Sequence, residues 1–261
     1  MNYTLAKHAK SENKKYISII LQLIFWIILI YSLIEIVKWY IHNKQNEEIM
    51  EEISNAITVV KPEQITENQE ENYKIDFDEL KKVNSDTVAF LKVNGTEIEY
   101  PIVKTRNNDF YLKHSFDKTY NAAGWIFVDY RNKLDGTDKN IVIYGHNRKN
   151  GTMFSSLRNI LKKEWYNNPE NLKIQLITEN EEVFYEVFSV YQIEKETYYL
   201  QTDFNNDAEY FSFVETVKNR SIKNFGVNIT PENQILTLST CANDNNYRVV
   251  LHAKKIVTLV N

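Results

Sequence analysis

Cys241 is the only cysteine in the chain, and it closes a strand-like run, QILTLST. Arg248 stands near the start of the next such run, YRVVLHAKKIV. A single thiol excludes an intramolecular disulfide and a multi-cysteine zinc site. Two readings of it remain, a reactive nucleophile or a small buried hydrophobe. A short connection between the runs can return Arg248 to the rim that holds Cys241. There a guanidinium can lower the thiol pKa or hold a developing oxyanion through fixed N–H donors. A surface arginine at a strand start is the competing reading.

A thiol nucleophile needs a proton acceptor, and the chain has five histidines. His8 precedes a long apolar run and His42 follows it, so neither is placed to reach Cys241. His114, in YLKHSF, reads as a satisfied polar residue. His252 lies on the strand of Arg248 and on the same face, about 13 Å further along, too far to share one reacting carbonyl. His146 follows the apolar run NIVIYG and opens a turn-rich loop, HNRKNGTM. That places it to face a cleft as a general acid/base, with an ordinary structural histidine as the alternative.

The elements that must hold these residues are mostly strands. VAFLKVN, IEYPIV, GWIFVDY, NIVIYGH, KIQLIT, VFYEVFSVYQI, QILTLST and YRVVLHAKKIV are short, largely alternating and separated by polar turns. About eight such segments predict a mainly β fold, a closed or nearly closed barrel with helical insertions. One helix is expected at IDFDELKKVN, with Ile75, Phe77, Leu80 and Val83 on one side. Others are expected over 153–163 and 207–220, the latter with Tyr210, Phe211, Val214 and Val217 sharing a face.

Residues 16–34 carry no charged side chain and are almost all apolar. At about 1.5 Å per residue they span the roughly 30 Å hydrocarbon core. Trp39 and Tyr40 follow where an interfacial aromatic belt belongs. Lys7, Lys10, Lys14 and Lys15 precede the run, which by the positive-inside rule puts the N-terminus in the cytoplasm. The run is too long for a signal peptide core and ends without small cleavage-site residues. Residues 41–72 are acidic and polar and read as a partly helical, solvated stalk. The expected division is a cytoplasmic N-terminus (1–15), a transmembrane anchor (16–37), an extracellular stalk (38–72) and a folded domain (73–261). With 31 basic and 35 acidic residues the net charge is −4, which gives no basis for nucleic-acid binding.

LTLSTC, followed after a short loop by Arg248 in YRVVLHAKKI, resembles the TLxTC signature and the later arginine-bearing strand of sortases. IVIYGHNRKNGTMFSSL resembles the segment that carries the sortase histidine, in the fuller form of class B. TEIEYPIVKTRNNDFYLKHSF and AAGWIFVDYRN resemble the class B stretches before it, and the helix near 207–220 fits the class B insertion. The similarity runs from about Tyr73 to the C-terminus. Two positions depart from the pattern: Ala242 stands where many class B members have an acid, and Ala89 where the family often has glycine.

The resemblance implies a membrane-anchored cysteine transpeptidase of the Gram-positive cell surface that needs no metal or organic cofactor. It implies Cys241 as nucleophile, His146 as general acid/base and Arg248 as transition-state stabiliser. Ser239 and Thr240 either shape the substrate groove or are plain strand residues. The implied partners are surface proteins with a C-terminal sorting motif, a peptidoglycan precursor amine and the lipid bilayer around the N-terminal helix. A cysteine endopeptidase that passes the acyl group to water, and a non-catalytic surface-binding module, are the other readings.

Overall fold

The computed structural model describes residues 2–60, 72–148, 150–241 and 246–260. They form two compact units, 1–47 and 48–261. The first consists of most of helix α1 (Asn2–Ile53), and no residue of its most apolar window is buried. It is one helix long and apolar enough to cross a membrane.

The second unit begins well before Tyr73, the expected start of the folded domain. Ile49, Ile53 and Ala56 are buried and join the main core with Tyr73, Phe77 and Leu80. Strand β1 (Ile57–Val60) pairs antiparallel with β2 (Asn72–Ile75). The chain read as a solvated stalk therefore contributes core residues. The acids explain the misreading: Glu48, Glu51 and Glu52 cover the outer side of a helical stripe whose inner side is Ile49 and Ile53. Helix α2 (Phe77–Val83) starts where expected, capped by Asp76, whose side chain accepts from the Glu79 N–H at 3.0 Å. Ile75 falls in β2, just outside that cap.

All eight expected strands form, and they close a barrel. These are β3 (Thr87–Val93), β4 (Ile98–Val103), β5 (Phe127–Val128), β6 (Asn140–Gly145), β7 (Lys173–Ile177), β8 (Glu181–Glu194), β9 (Ile235–Cys241) and β10 (Tyr247–Val260). The order is β10-β8-β7-β3-β4-β5-β6-β9, with β9 pairing back onto β10. Neighbours are antiparallel except β4 with β5 and β6 with β9. The β6–β9–β10 wall is covered on both faces, apolar toward the barrel and mixed apolar and polar on the other, where Asn140, Thr237 and His252 are buried and hydrogen-bonded to one another. On one face Ile141, Ile143, Leu236, Leu238, Val249 and Leu251 fill the barrel core. On the other Ile235 and Val250 meet a second cluster, which includes helix α4 (Asp207–Asn219).

Two local expectations shift. In α4 the buried stripe is Tyr210, Phe213, Val214 and Val217, whereas Phe211 is 49% exposed. Positions 210, 213, 214 and 217 keep the helical period, and 211 falls off it. Over 153–163 the chain forms a 3-10 segment (Ser155–Leu161) before the short helix α3 (Lys163–Tyr166), burying Leu157, Ile160 and Trp165.

Candidate active site

Three neighbouring strands bring the expected residues to one end of the wall. β9 and β10 run antiparallel with Cys241 opposite Arg248 and Ser239 opposite Val250. β6 runs parallel to β9, and its last pairs are Tyr144 with Ser239 and Gly145 with Thr240. His146 is the next residue, so its backbone stands beside position 241. Strand alternation assigns 144, 239, 248 and 250 to one face, the face that Val250 shares with the second cluster. The candidate site is thus on the outside of the barrel wall, not in its interior.

On that side lies a groove of about 290 Å³, lined by His146, Arg248, Ser239, Thr240, Tyr144 and Tyr199 among others. The segment from Lys195 to Leu200, which follows β8, contributes to its lining, as do Asn108, Asp109 and Leu112 after β4. Ser239 is buried and shares a 3.0 Å hydrogen bond with the Tyr199 hydroxyl, which ties strand β9 to that segment. Thr240 is also buried. Arg248 is half-buried, and its Nη1 donates to the Tyr247 carbonyl at 3.0 Å.

His146 is fixed on several sides. Its Nε2 lies 3.0 Å from the Leu112 carbonyl, and its own carbonyl accepts from the Phe154 N–H at 3.0 Å. Gly124, at φ +61°, packs under the ring: a Cβ there would come within 2.8 Å of the His146 Cδ2 and 2.5 Å of the Tyr111 carbonyl. Burial pushes the His146 pKa below the ordinary histidine value. The Leu112 hydrogen bond opposes that shift, and the cations Arg148 and Arg248 reinforce it. The ring is therefore neutral near pH 7 and able to accept a proton.

The other histidines of this unit are occupied. His114 stacks on Phe110 at 3.9 Å between ring centroids, with its Nδ1 2.7 Å from the Phe110 carbonyl. His252 is fully buried, with Nδ1 2.8 Å from the Thr237 hydroxyl and Nε2 2.9 Å from that of Tyr191. Burial drives its pKa down to about 3, so it is a neutral structural group. Ala242 lies outside the described residues. Ala89 is wholly buried in β3, beside an irregularity in its pairing with β4.

Tyr144, Tyr199 and Asn108 belong to the groove and were not singled out from the sequence. Tyr144 carried a usable signal, since it precedes His146 by one full strand period in IVIYGH. Asn108 and Tyr199 come from irregular segments with no such period. Among the described residues no cluster of His, Cys, Asp or Glu has the arrangement of a metal site.

The family model for the sortase domain matches residues 91–256. Sortase B of Listeria monocytogenes is 34% identical over 217 residues, covering 82% of this chain and 86% of the relative. The crystal structure of sortase B from B. anthracis in complex with AAEK1 is 33% identical with a TM-score of 0.70, covering 83% of this chain and 99% of that one. A Staphylococcus aureus sortase B-substrate complex is 34% identical with a TM-score of 0.64, covering 69% of this chain and 84% of that one. With a family match over most of the barrel and relatives above 30% identity along nearly their whole length, the chain belongs to the sortase family of cysteine transpeptidases, in class B.

Proposed function

We propose that the groove binds an extended sorting peptide from a surface protein and that Cys241, His146 and Arg248 transfer its acyl group. The observation that carries this reading is the register: Arg248 is the pairing partner of Cys241, and His146 follows the last β6 residue paired with β9. The solved Staphylococcus aureus sortase B-substrate complex, a relative of the same fold, supports reading the groove as a substrate site. Ser239 and Thr240 line the groove and contribute to its shape.

The neutral His146 takes the thiol proton, and the Cys241 sulfur attacks a threonine carbonyl of the sorting motif. Negative charge develops on the carbonyl oxygen, and the Arg248 guanidinium donates to it. Collapse breaks the C–N bond, His146 returns the proton to the departing amine, and a thioester remains. An amine of a peptidoglycan precursor then attacks the thioester, gives its proton to His146, and releases the cysteine. Water in place of the amine gives hydrolysis with the same three residues. Mass spectrometry of the protein with a library of C-terminal sorting peptides, with and without an added amine, tests the scheme. It reads the cleaved bond, the acyl-enzyme and the acceptor together, and absence of any thioester adduct would sink it.

Arg248 has a test of its own. Lysine at this position keeps the charge but loses the planar fork of donors. Arg248→Lys is expected to lower kcat/KM by about 10²–10³, and Arg248→Ala at least as much. If the arginine mainly serves the transition state, iodoacetamide alkylates Cys241 at an unchanged rate in both variants. Slower alkylation near neutral pH would instead mark a role in lowering the thiol pKa. Full acyl transfer in Arg248→Ala would exclude both roles.

We further infer that residues 16–37 anchor the chain in the bilayer with the barrel outside the cell. The apolar helix and the lysines before it support this orientation. Protease added to intact cells is expected to degrade the barrel and spare the N-terminus. Full protection of the barrel would reverse the topology.

A further inference from the structure

Asp129 is wholly buried and does not line the groove, yet its carboxylate connects three of the segments that do. It follows strand β5 directly, and its N–H donates to the Val142 carbonyl at 2.8 Å, which extends the β5–β6 ladder by one residue. Its Oδ2 accepts from the Tyr144 hydroxyl at 2.8 Å and from the Asn108 side-chain amide at 2.9 Å. Arg131 grips both oxygens, with Nε 2.8 Å from Oδ1 and Nη2 2.7 Å from Oδ2. The same Nη2 donates to the Leu200 carbonyl at 2.9 Å. Asn108, Tyr144 and Leu200 all line the groove, and they come from three separate stretches of chain.

Burial alone would push this carboxyl up, but the Arg131 hydrogen bonds and the Tyr144 hydroxyl outweigh it and leave the pKa below the usual carboxylate range. Asp129 is therefore ionised at neutral pH and can act only as an acceptor. Every group around its side chain is a donor. A charged acceptor holding several donors fixes their relative geometry more firmly than neutral hydrogen bonds do. The reaction sequence above has no use for this carboxylate, because it touches neither His146 nor Arg248 in any contact described.

We propose that Asp129 is a positioning residue for the peptide groove: one buried carboxylate sets Asn108, Tyr144 and, through Arg131, the Leu200 segment at the spacing that binds substrate. The inference rests on the groove being the peptide site. Asp129 contributes to ground-state and transition-state binding alike, so its removal raises KM more than it lowers kcat.

The test uses the full-length protein in detergent and a fluorescence-quenched peptide carrying the motif that the wild type selects from the library. Asn at position 129 replaces one acceptor oxygen with a donor, so at least one of the three links is lost. Asp129→Asn is expected to raise KM about tenfold, with a smaller fall in kcat and no change in Cys241 alkylation by iodoacetamide. Tyr144→Phe removes a single link, leaves the Asp129–Arg131 pair intact, and is expected to raise KM about threefold. It keeps the test decisive if Asp129→Asn does not fold. A lower Tm with unchanged KM, measured well below that Tm, would overturn the inference and leave Asp129 a purely structural residue. Alkylation slowed in step with kcat would also overturn it, since the residue would then act on the nucleophile. A wild-type protein that cleaves no peptide overturns the functional reading beneath it. A wild type that cleaves, beside variants of unchanged KM, overturns this inference alone.

Discussion

Full-length protein carrying Cys241→Ala is expected to release no cleaved peptide and to form no thioester, with an unchanged Tm. The chain has a single cysteine, so no second thiol can take over the attack. Covalent catalysis by sulfur splits amide exchange into two easier steps, and alanine leaves only the one-step route. Electrostatic and binding groups at a site can retain a modest advantage over water after the nucleophile is lost, as happens in serine proteases. For amide transfer that residue of activity falls below ordinary detection. The fold should survive because position 241 is held by backbone pairing to Arg248 at the last rung of β9. Wild-type turnover in this variant would sink the assignment of the nucleophile. Turnover lost together with a collapsed Tm would call for Cys241→Ser to separate chemistry from folding.

His146→Ala should be the next most damaging change, with kcat/KM down by about 10²–10⁴. The loss has two parts, the missing acceptor for the thiol proton and the missing donor for the amine. The pH profile adds a second reading of the same residue. On the proposed mechanism the active form carries one proton between thiol and imidazole, so activity should rise as His146 deprotonates and fall once the thiol proton is lost. Burial, with Arg148 and Arg248 reinforcing it, holds the His146 pKa below 6.5, and the acid limb of kcat/KM should lie below that value. Arg148→Gln removes one of the two cations and should move that limb upward. His252→Ala supplies the contrast. It strips the Thr237 and Tyr191 hydroxyls of a buried partner, so it should lower Tm by several degrees while leaving the acid limb in place. An acid limb that moved with His252 and not with His146 would mean the base is misassigned.

The barrel was legible in the sequence because each strand carries its own period. NIVIYG and QILTLST are short, β-branched and bounded by turns, and nothing about their partners is needed to recognise them. The Cys241–Arg248 pairing followed from one short connection between two strands. Other features depend on tertiary partners. The stripe of Ile49, Ile53 and Ala56 is interleaved with acids, so composition hid its period, and β1 finds its partner only across residues 61–71. Phe211 and Phe213 are chemically alike, and only the packing of α4 against Tyr191 and Val250 decides which is inside. Asp129 sits in AAGWIFVDYRN as an ordinary strand-end acid. Its hydrogen-bond partners Asn108 and Tyr144, and Leu200 beyond Arg131, are brought to it from three separate stretches of chain, an arrangement no local pattern encodes.

The shared rung of β6, β9 and β10 also sets where this chain tolerates changes of length. Adding or deleting one residue between Asn140 and His146 turns the histidine from the groove to the barrel interior, because side chains alternate along a strand. The same holds within Ile235–Cys241 and from Tyr247 to Arg248. The connection between Cys241 and Tyr247 obeys no such rule, since Arg248 is held opposite Cys241 by the ladder whatever the span of the loop. Natural or engineered variation in length, as opposed to residue type, should therefore collect in that connection and be absent from the three strands.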